Sequence, residues 1–192
     1  MNSIGKGLRK LLSDKEVLQL IGSHAKLLTY PELAQYPSIE DAFGDCDKIV
    51  LLYVNTMDDS SMSGHWCLLT KHKSRGKTIV EFTDPYGMMP DDQLKSYSKR
   101  WKQESGQDHN TLTRLLYEFS LSPKHEVHYN ELDMQRENDD VNTCGRWTAI
   151  RGYFYKIPLK TFQNRFKALK RNGFDLDKVA VALTDMMSNH TI

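Results

Sequence analysis

Three side chains in this sequence have the types and the order that thiol chemistry requires: His65, Asp84 and Cys144. A cysteine nucleophile needs an adjacent base, and the base needs an acceptor that fixes its orientation. Cys144 lies in Asn142-Thr143-Cys144-Gly145-Arg146-Trp147. Before it, Met134 to Thr143 is nearly all polar; after it, Trp147, Ile150 and Phe154 recur at helical spacing. This places Cys144 at or just before a helix N-terminus, where free N–H groups and the positive dipole end stabilise a thiolate. A buried structural thiol is the alternative for any single cysteine. Two other stretches favour chemistry, Gly64-His65-Trp66 and Phe82-Thr83-Asp84-Pro85-Tyr86-Gly87. His65 opens one expected strand and Asp84 closes the next, so an antiparallel meander makes them neighbours at one sheet edge. Taken singly, His65 would serve as an exposed strand histidine and Asp84 as a turn residue before proline.

Acyl transfer also needs donors for a developing oxyanion. The backbone N–H of Cys144 supplies one. The second must be a neutral side-chain donor, which excludes Glu137, Asp139 and Asp140, and Arg136 would carry a full charge into the site. Gln135, Asn138 and Asn142 remain, with Asn142 close enough to cap the helix instead. Trp66 reads either as a core aromatic or as the wall of a narrow substrate groove. A zinc site drawn from His65, Cys67, His125 and His128 lacks any established ligand spacing, so neither metal nor cofactor is expected.

The elements that must position these groups follow from patterning. Ile4, Leu8, Leu11 and Leu12 outline a helix from Ser3 to Leu12. Ser13 with Glu16 forms a capping box for a second helix ended by Gly22. Thr29-Tyr30-Pro31-Glu32 repeats the pattern, and a short helix from Ile39 to Phe43 stops at Gly44, so the N-terminal third reads as helical. Lys48 to Val54 is an apolar run expected as a strand buried on both faces. Asn55 to Gly64 is read as a polar loop, followed by strands from His65 to Thr70 and Lys77 to Phe82. Asp91 is expected to cap a helix reaching Trp101, and Leu112, Leu115, Leu116 and Phe119 stripe another. Glu126 to Tyr129 gives a short strand. Helices around Phe162, Phe166 and Leu169 and from Val179 to Met187 close the chain, with a frayed polar tail. The fold class is α+β: a small mixed, mostly antiparallel sheet packed against the helix that begins at Cys144. The chain reads as one domain, with a helical region at 1–45, a catalytic core at 46–157 and C-terminal helices at 158–192.

Composition sets the bounds. The 192 residues carry a formal net charge of +1, which gives no bulk case for nucleic acid or membrane as the main partner. Three cysteines without CxxC spacing fit a reducing compartment rather than a disulfide scaffold. No apolar run approaches a membrane span. Arg151, Lys156, Lys160, Arg165, Lys167, Lys170 and Arg171 make the C-terminal region locally basic. Such a run is ordinarily a solvated helix face.

The order His…Asp…Cys, together with Gly64-His65-Trp66, Phe82-Thr83-Asp84-Pro85-Tyr86-Gly87 and Thr143-Cys144-Gly145, resembles the adenovirus maturation protease and SUMO-deconjugating protease superfamily. The style is closest to capsid-processing proteases of large DNA viruses and virophages, over roughly Ile49 to Tyr155. The resemblance implies Cys144 as nucleophile, His65 as base and Asp84 as orienting carboxylate. It implies a glutamine completing the oxyanion hole, which Gln135 matches in type, though farther from the cysteine than the family pattern has it. It further implies endopeptidase cleavage of capsid or other structural precursors after small residues such as Gly-Gly, beside Trp66, in the virion and host cytoplasm. The adenovirus enzyme uses DNA as a cofactor, so weak, salt-sensitive DNA binding through the basic C-terminal helices is a further expectation. Rival readings are a deconjugating protease for ubiquitin-like proteins, an acetyltransferase using the same triad, a chymotrypsin-fold cysteine protease, and a binding module with a dead triad. The helical stripes after Cys144 count against the all-β chymotrypsin fold.

Overall fold

The structure is a computed structural model describing residues 3–58, 61–138 and 140–189. Its sheet runs in the order β1 (Ala25–Thr29), β2 (Lys48–Asp58), β3 (Ser61–Ser74), β4 (Lys77–Thr83) and β5 (His125–Tyr129). The three central strands are antiparallel, and β1 and β5 flank them in parallel. The helices are α1 (Ser3–Arg9), α2 (Asp14–Ile21), α3 (Ile39–Phe43), α4 (Lys99–Glu104), α5 (Thr111–Ser120), α6 (Cys144–Tyr153), α7 (Leu159–Arg171) and α8 (Leu176–Asn189). The fold is the expected α+β arrangement.

Strand β2 organises the interior. Its alternate side chains divide between two cores, as the period of two demands. Ile49, Leu51 and Tyr53 join Cys67, Leu69, Val80 and Phe82 on one face, under α3 and α5. Val50, Leu52 and Val54 join Trp66, Leu68 and Cys144 on the other, under α2 and α6. Both faces are covered, which is why the run is continuously apolar. A third cluster, with Trp147, Ile150, Phe162 and Phe166, packs α6 against α7 and α8. Each such fully buried large side chain stabilises the fold by about 1.5–3 kcal/mol relative to exposure.

Local signals behave as their chemistry dictates. Ser13 and Glu16 form the capping box of α2, and Gly22 ends it. Thr29 and Glu32 cap a 3-10 helix at Tyr30–Gln35. Four expectations need correction. The N-terminal third is not wholly helical: Ala25–Thr29 pairs in parallel with β2 from Ala25↔Lys48 to Thr29↔Leu52, a tertiary pairing that overrides weak local preference. The stretch from Asn55 to Gly64 is not simply a loop, because β2 and β3 continue as a paired arm past a register shift between Val54 and Thr56. The backbone supplies that ladder whatever the side chains. Asp91 does not cap the segment that follows it: it adopts a left-handed φ of 69° without a capping bond there. Its buried carboxylate instead accepts from Tyr30 Oη (2.7 Å) and the Thr113 amide (2.8 Å). The segment to Trp101 is a 3-10 turn at Asp92–Ser96 and then α4, which Ser98 caps. The tail 190–192, expected to fray, lies outside the described residues, as does Asp139.

Candidate active site

Strand β4 ends at Thr83, opposite Leu68, and so stops short of the level of His65 on β3. Asp84 and Tyr86, just past the strand end, lie against the His65 ring. Gly64, the residue before His65, lets the β2 backbone pass close to β3, because a Cβ there would sit 1.9 Å from the Tyr53 carbonyl oxygen. The Asp84 main chain is pinned from both sides by Asn130, whose Oδ1 accepts from the Asp84 amide (2.8 Å) and whose Nδ2 donates to its carbonyl (2.7 Å). The Tyr86 amide donates to Asp84 Oδ1 at 2.7 Å.

Asp84 Oδ2 lies 3.0 Å from His65 Nε2. The imidazole also hydrogen-bonds Cys144, the first residue of α6. The three expected residues therefore meet, and His65, Asp84 and Cys144 are 4%, 1% and 6% exposed. Burial raises the Cys144 thiol, but the His65 hydrogen bond and charge, with the N–H groups of Trp66 and Gly145, outweigh it and hold the thiol below its usual range. Burial works against a charged His65, yet the Asp84 charge and hydrogen bond and the hydrogen bond to Cys144 help hold the imidazole well above its usual range. The two shifts point one way, to a thiolate–imidazolium pair at neutral pH.

Trp66 is a core residue on the Cys144 face, its ring edge against the position a Gly145 Cβ would take. Its carbonyl accepts from Thr148 Oγ1 at 3.2 Å, tying β3 to α6. Gln135 is buried, and its amide nitrogen donates to Tyr86 Oη (3.1 Å) and the Val141 carbonyl (3.0 Å). Its Oε1 has no partner among the described residues. Asn138 is exposed, with its Oδ1 accepting from the Asp140 amide at 2.9 Å. Asn142 does not cap α6: its Nδ2 donates to the Arg9 carbonyl (3.2 Å), and Thr143 takes the cap position without a side-chain bond to the helix amides. Arg151 drops out of the basic surface, because it is wholly buried and paired with Glu81. An open cleft bordered by Tyr86, Glu137, Asn138, Val141 and Asn142 adjoins the site.

Sequence reasoning missed three contributors. Tyr86, within the Phe82–Gly87 motif, stacks on His65 with ring centroids 4.7 Å apart. Asp177, on α8, accepts from Thr143 Oγ1 and from both the amide and Nε of Arg136, so it ties down both ends of the loop before Cys144. No local pattern marks it. Cys67 donates its S–H to Asp84 Oδ2 at 3.2 Å. Its position two residues after His65 on a strand was the signal. The donor atoms of His65, Cys67 and Asp84 lie within 4.8 Å of one another, as in a metal site. Hydrogen bonds join the three groups here, with His65 Nε2 and Cys67 Sγ both meeting Asp84 Oδ2.

Fold and site define an α+β protein with a buried cysteine–histidine–aspartate set at a helix N-terminus. No family model matches the chain. Protein V9 of Sputnik virophage, described as uncharacterized, is 32% identical over 140 residues, covering 73% of this chain and 74% of the relative. The chain belongs to the family of that virophage protein. Among solved structures, the ASFV pS273R protease superposes with a TM-score of 0.41 at 12% identity over 76% of this chain. The chain spans 58% of that protease's length.

Proposed function

We propose that the chain is a cysteine endopeptidase that matures viral structural precursors, with Cys144 as nucleophile, His65 as base and Asp84 as orienting carboxylate. One observation carries this reading: the Cys144 sulfur sits at the start of α6 in hydrogen bond with His65, whose Nε2 is held 3.0 Å from Asp84. Resting as an ion pair, the thiolate attacks a scissile carbonyl. The imidazolium then gives its proton to the leaving amine, and water drawn toward neutral His65 hydrolyses the thioester. Asp84 keeps the imidazole in the tautomer that faces sulfur with its free nitrogen. The Cys144 N–H and the Gln135 amide are the oxyanion donors in this scheme. Gln135 must then exchange its bond to Tyr86 Oη for one to the substrate oxygen.

Substrate choice is read from the site's neighbours. The open cleft beside Tyr86 leads to a buried cysteine and suits a chain with small residues before the cut, of Gly-Gly type, since glycine lets a backbone pass closely. Kinship with a virophage protein supports a viral setting, with action in the virion and the host cytoplasm. The whole chain acts as one catalytic domain in this reading. Exposed Lys160, Arg165, Lys167 and Arg171 on α7 would add weak DNA binding that falls with salt. Among the described residues no helix is long and apolar enough to cross a membrane.

Co-expression with candidate capsid precursors tests the proposal, with wild type compared against Cys144→Ala and new termini mapped. New termini after small residues, present only with wild type, are the expected result. Cleavage that persists in Cys144→Ala, or release of a ubiquitin-like tail in place of precursor cleavage, would displace the reading.

A further inference from the structure

Cys67 takes no part in the chemistry above, yet its thiol lies inside the same buried cluster. It stands two residues past His65 on β3, so the period of two turns both side chains to one face. Its Sγ–H donates to Asp84 Oδ2 at 3.2 Å, the oxygen that meets His65 Nε2 at 3.0 Å. The side chain is wholly buried. Burial first, and then the Asp84 carboxylate, push the thiol up, so at neutral pH it is a donor and not a second nucleophile. Sulfur is a weak donor, but a bond to an ionised carboxylate is stronger than one to a neutral acceptor.

We propose that Cys67 is a positioning residue for the Cys144–His65–Asp84 set, its S–H fixing Asp84 Oδ2 toward His65 and sharing that oxygen's charge with the imidazole. The idea rests on the reading of the triad given above. Asp84 Oδ1 is held separately by the Tyr86 amide. Without the thiol, His65 becomes the remaining side-chain donor to Oδ2 among the described contacts. The carboxylate then turns more freely and draws the imidazolium more strongly. Titratable neighbours of His65 come from each element around it: Cys144 on α6, Cys67 on β3, Asp84 and Tyr86 after β4, and Tyr97 before α4. Replacing Cys67 removes a donor from Asp84 and leaves the other groups in place.

The test compares Cys67→Ser, which keeps an O–H donor, with Cys67→Val, which fills nearly the same space with none; Cys67→Ala is the second donor-free variant should valine prevent folding. Two readouts are taken on the full chain: the His65 imidazole titration by NMR, and kcat and KM on a cleaved peptide. Loss of the donor is expected to raise the His65 pKa by about half a unit and to lower kcat about tenfold, with KM unchanged, as for one charge-assisted hydrogen bond. Cys67→Ser restores both toward wild type. Valine and alanine variants that titrate and turn over like wild type would overturn the role, and so would serine and valine variants equally impaired. The NMR comparison needs no turnover. Failure of wild type to cleave any peptide would therefore strike the proposed function and leave the Cys67 role to be decided by titration alone.

Discussion

Glu81 offers the sharpest test of how the site's two halves are joined. It sits on β4, three residues before Asp84, and is 1% exposed. Its carboxylate pairs with Arg151 near the end of α6 and accepts from the Leu159 amide at the start of α7 (3.0 Å). The strand that carries Asp84 is thereby tied to the helix that carries Cys144. Removing one partner of a buried pair leaves an uncompensated charge, at a cost of about 3–5 kcal/mol. Arg151 would keep the Phe154 carbonyl at 2.7 Å and the Tyr155 carbonyl at 3.4 Å. That places Glu81→Ala near the lower end, about 3 kcal/mol. At about 2–4 °C per kcal/mol for a chain of this size, the melting temperature should fall by about 6–12 °C. A double variant, Glu81→Leu with Arg151→Met, removes both charges and should be milder than the summed single changes. What it leaves is the orphaned Leu159 N–H, at about 1–3 kcal/mol, and a Thr70 hydroxyl without its bond to Glu81. Thermal melts followed by circular dichroism compare wild type, Glu81→Ala, Glu81→Leu, Arg151→Met and the double variant. A Glu81→Ala protein melting with the wild type, or a double variant as unstable as the two singles combined, would refute the reasoning.

The other expectations concern turnover. His65→Ala should cost as much activity as Cys144→Ala, and Asp84→Asn less, because it disturbs only tautomer and orientation; peptide kinetics on folded variants decide, and an Asp84→Asn loss as deep as that of His65→Ala contradicts the division of roles. Gln135→Ala should lose about 10²–10³ in kcat while Asn138→Ala stays near wild type, and the reverse pattern would move the oxyanion donor to Asn138. The rate should follow a bell in pH. Its acid limb lies below the ordinary thiol range, because rising pH first forms the thiolate of Cys144, whose pKa is lowered. Its alkaline limb lies above the ordinary imidazole range, because His65, whose pKa is raised, discharges only later. The two limbs belong to the coupled pair. An alkaline limb at the ordinary imidazole value contradicts the ion pair.

Much of this was legible in the sequence because it was local. The Ser13–Glu16 box, the stop at Gly44, the apolar run of β2 and the helix beginning at Cys144 each follow from a few adjacent residues, and the structure agrees with each. The meander argument for His65 beside Asp84 also held, since a hairpin brings the start of one strand to the end of the next. Pairings between distant segments were not legible. β1 exists through its parallel ladder with β2, and Ala25-Lys26-Leu27-Leu28-Thr29 carries no strong strand pattern of its own. Asp91 looked like a cap until Tyr30 and Thr113 closed on its carboxylate from far along the chain. Arg151 looked like part of a basic surface until Glu81 was found opposite it in the core. Asp177 and Cys67 were silent for the same reason, their meaning lying in the third dimension.

The central claim is that Cys144 rests as a thiolate held by His65. The rate of Cys144 alkylation by iodoacetamide, followed across pH by peptide mass spectrometry, measures this directly and separates it from Cys46 and Cys67. The account predicts that Cys144 titrates below the ordinary thiol range in wild type and moves upward in His65→Ala. A Cys144 that titrates at or above the ordinary thiol value, with no response to the loss of His65, would contradict it.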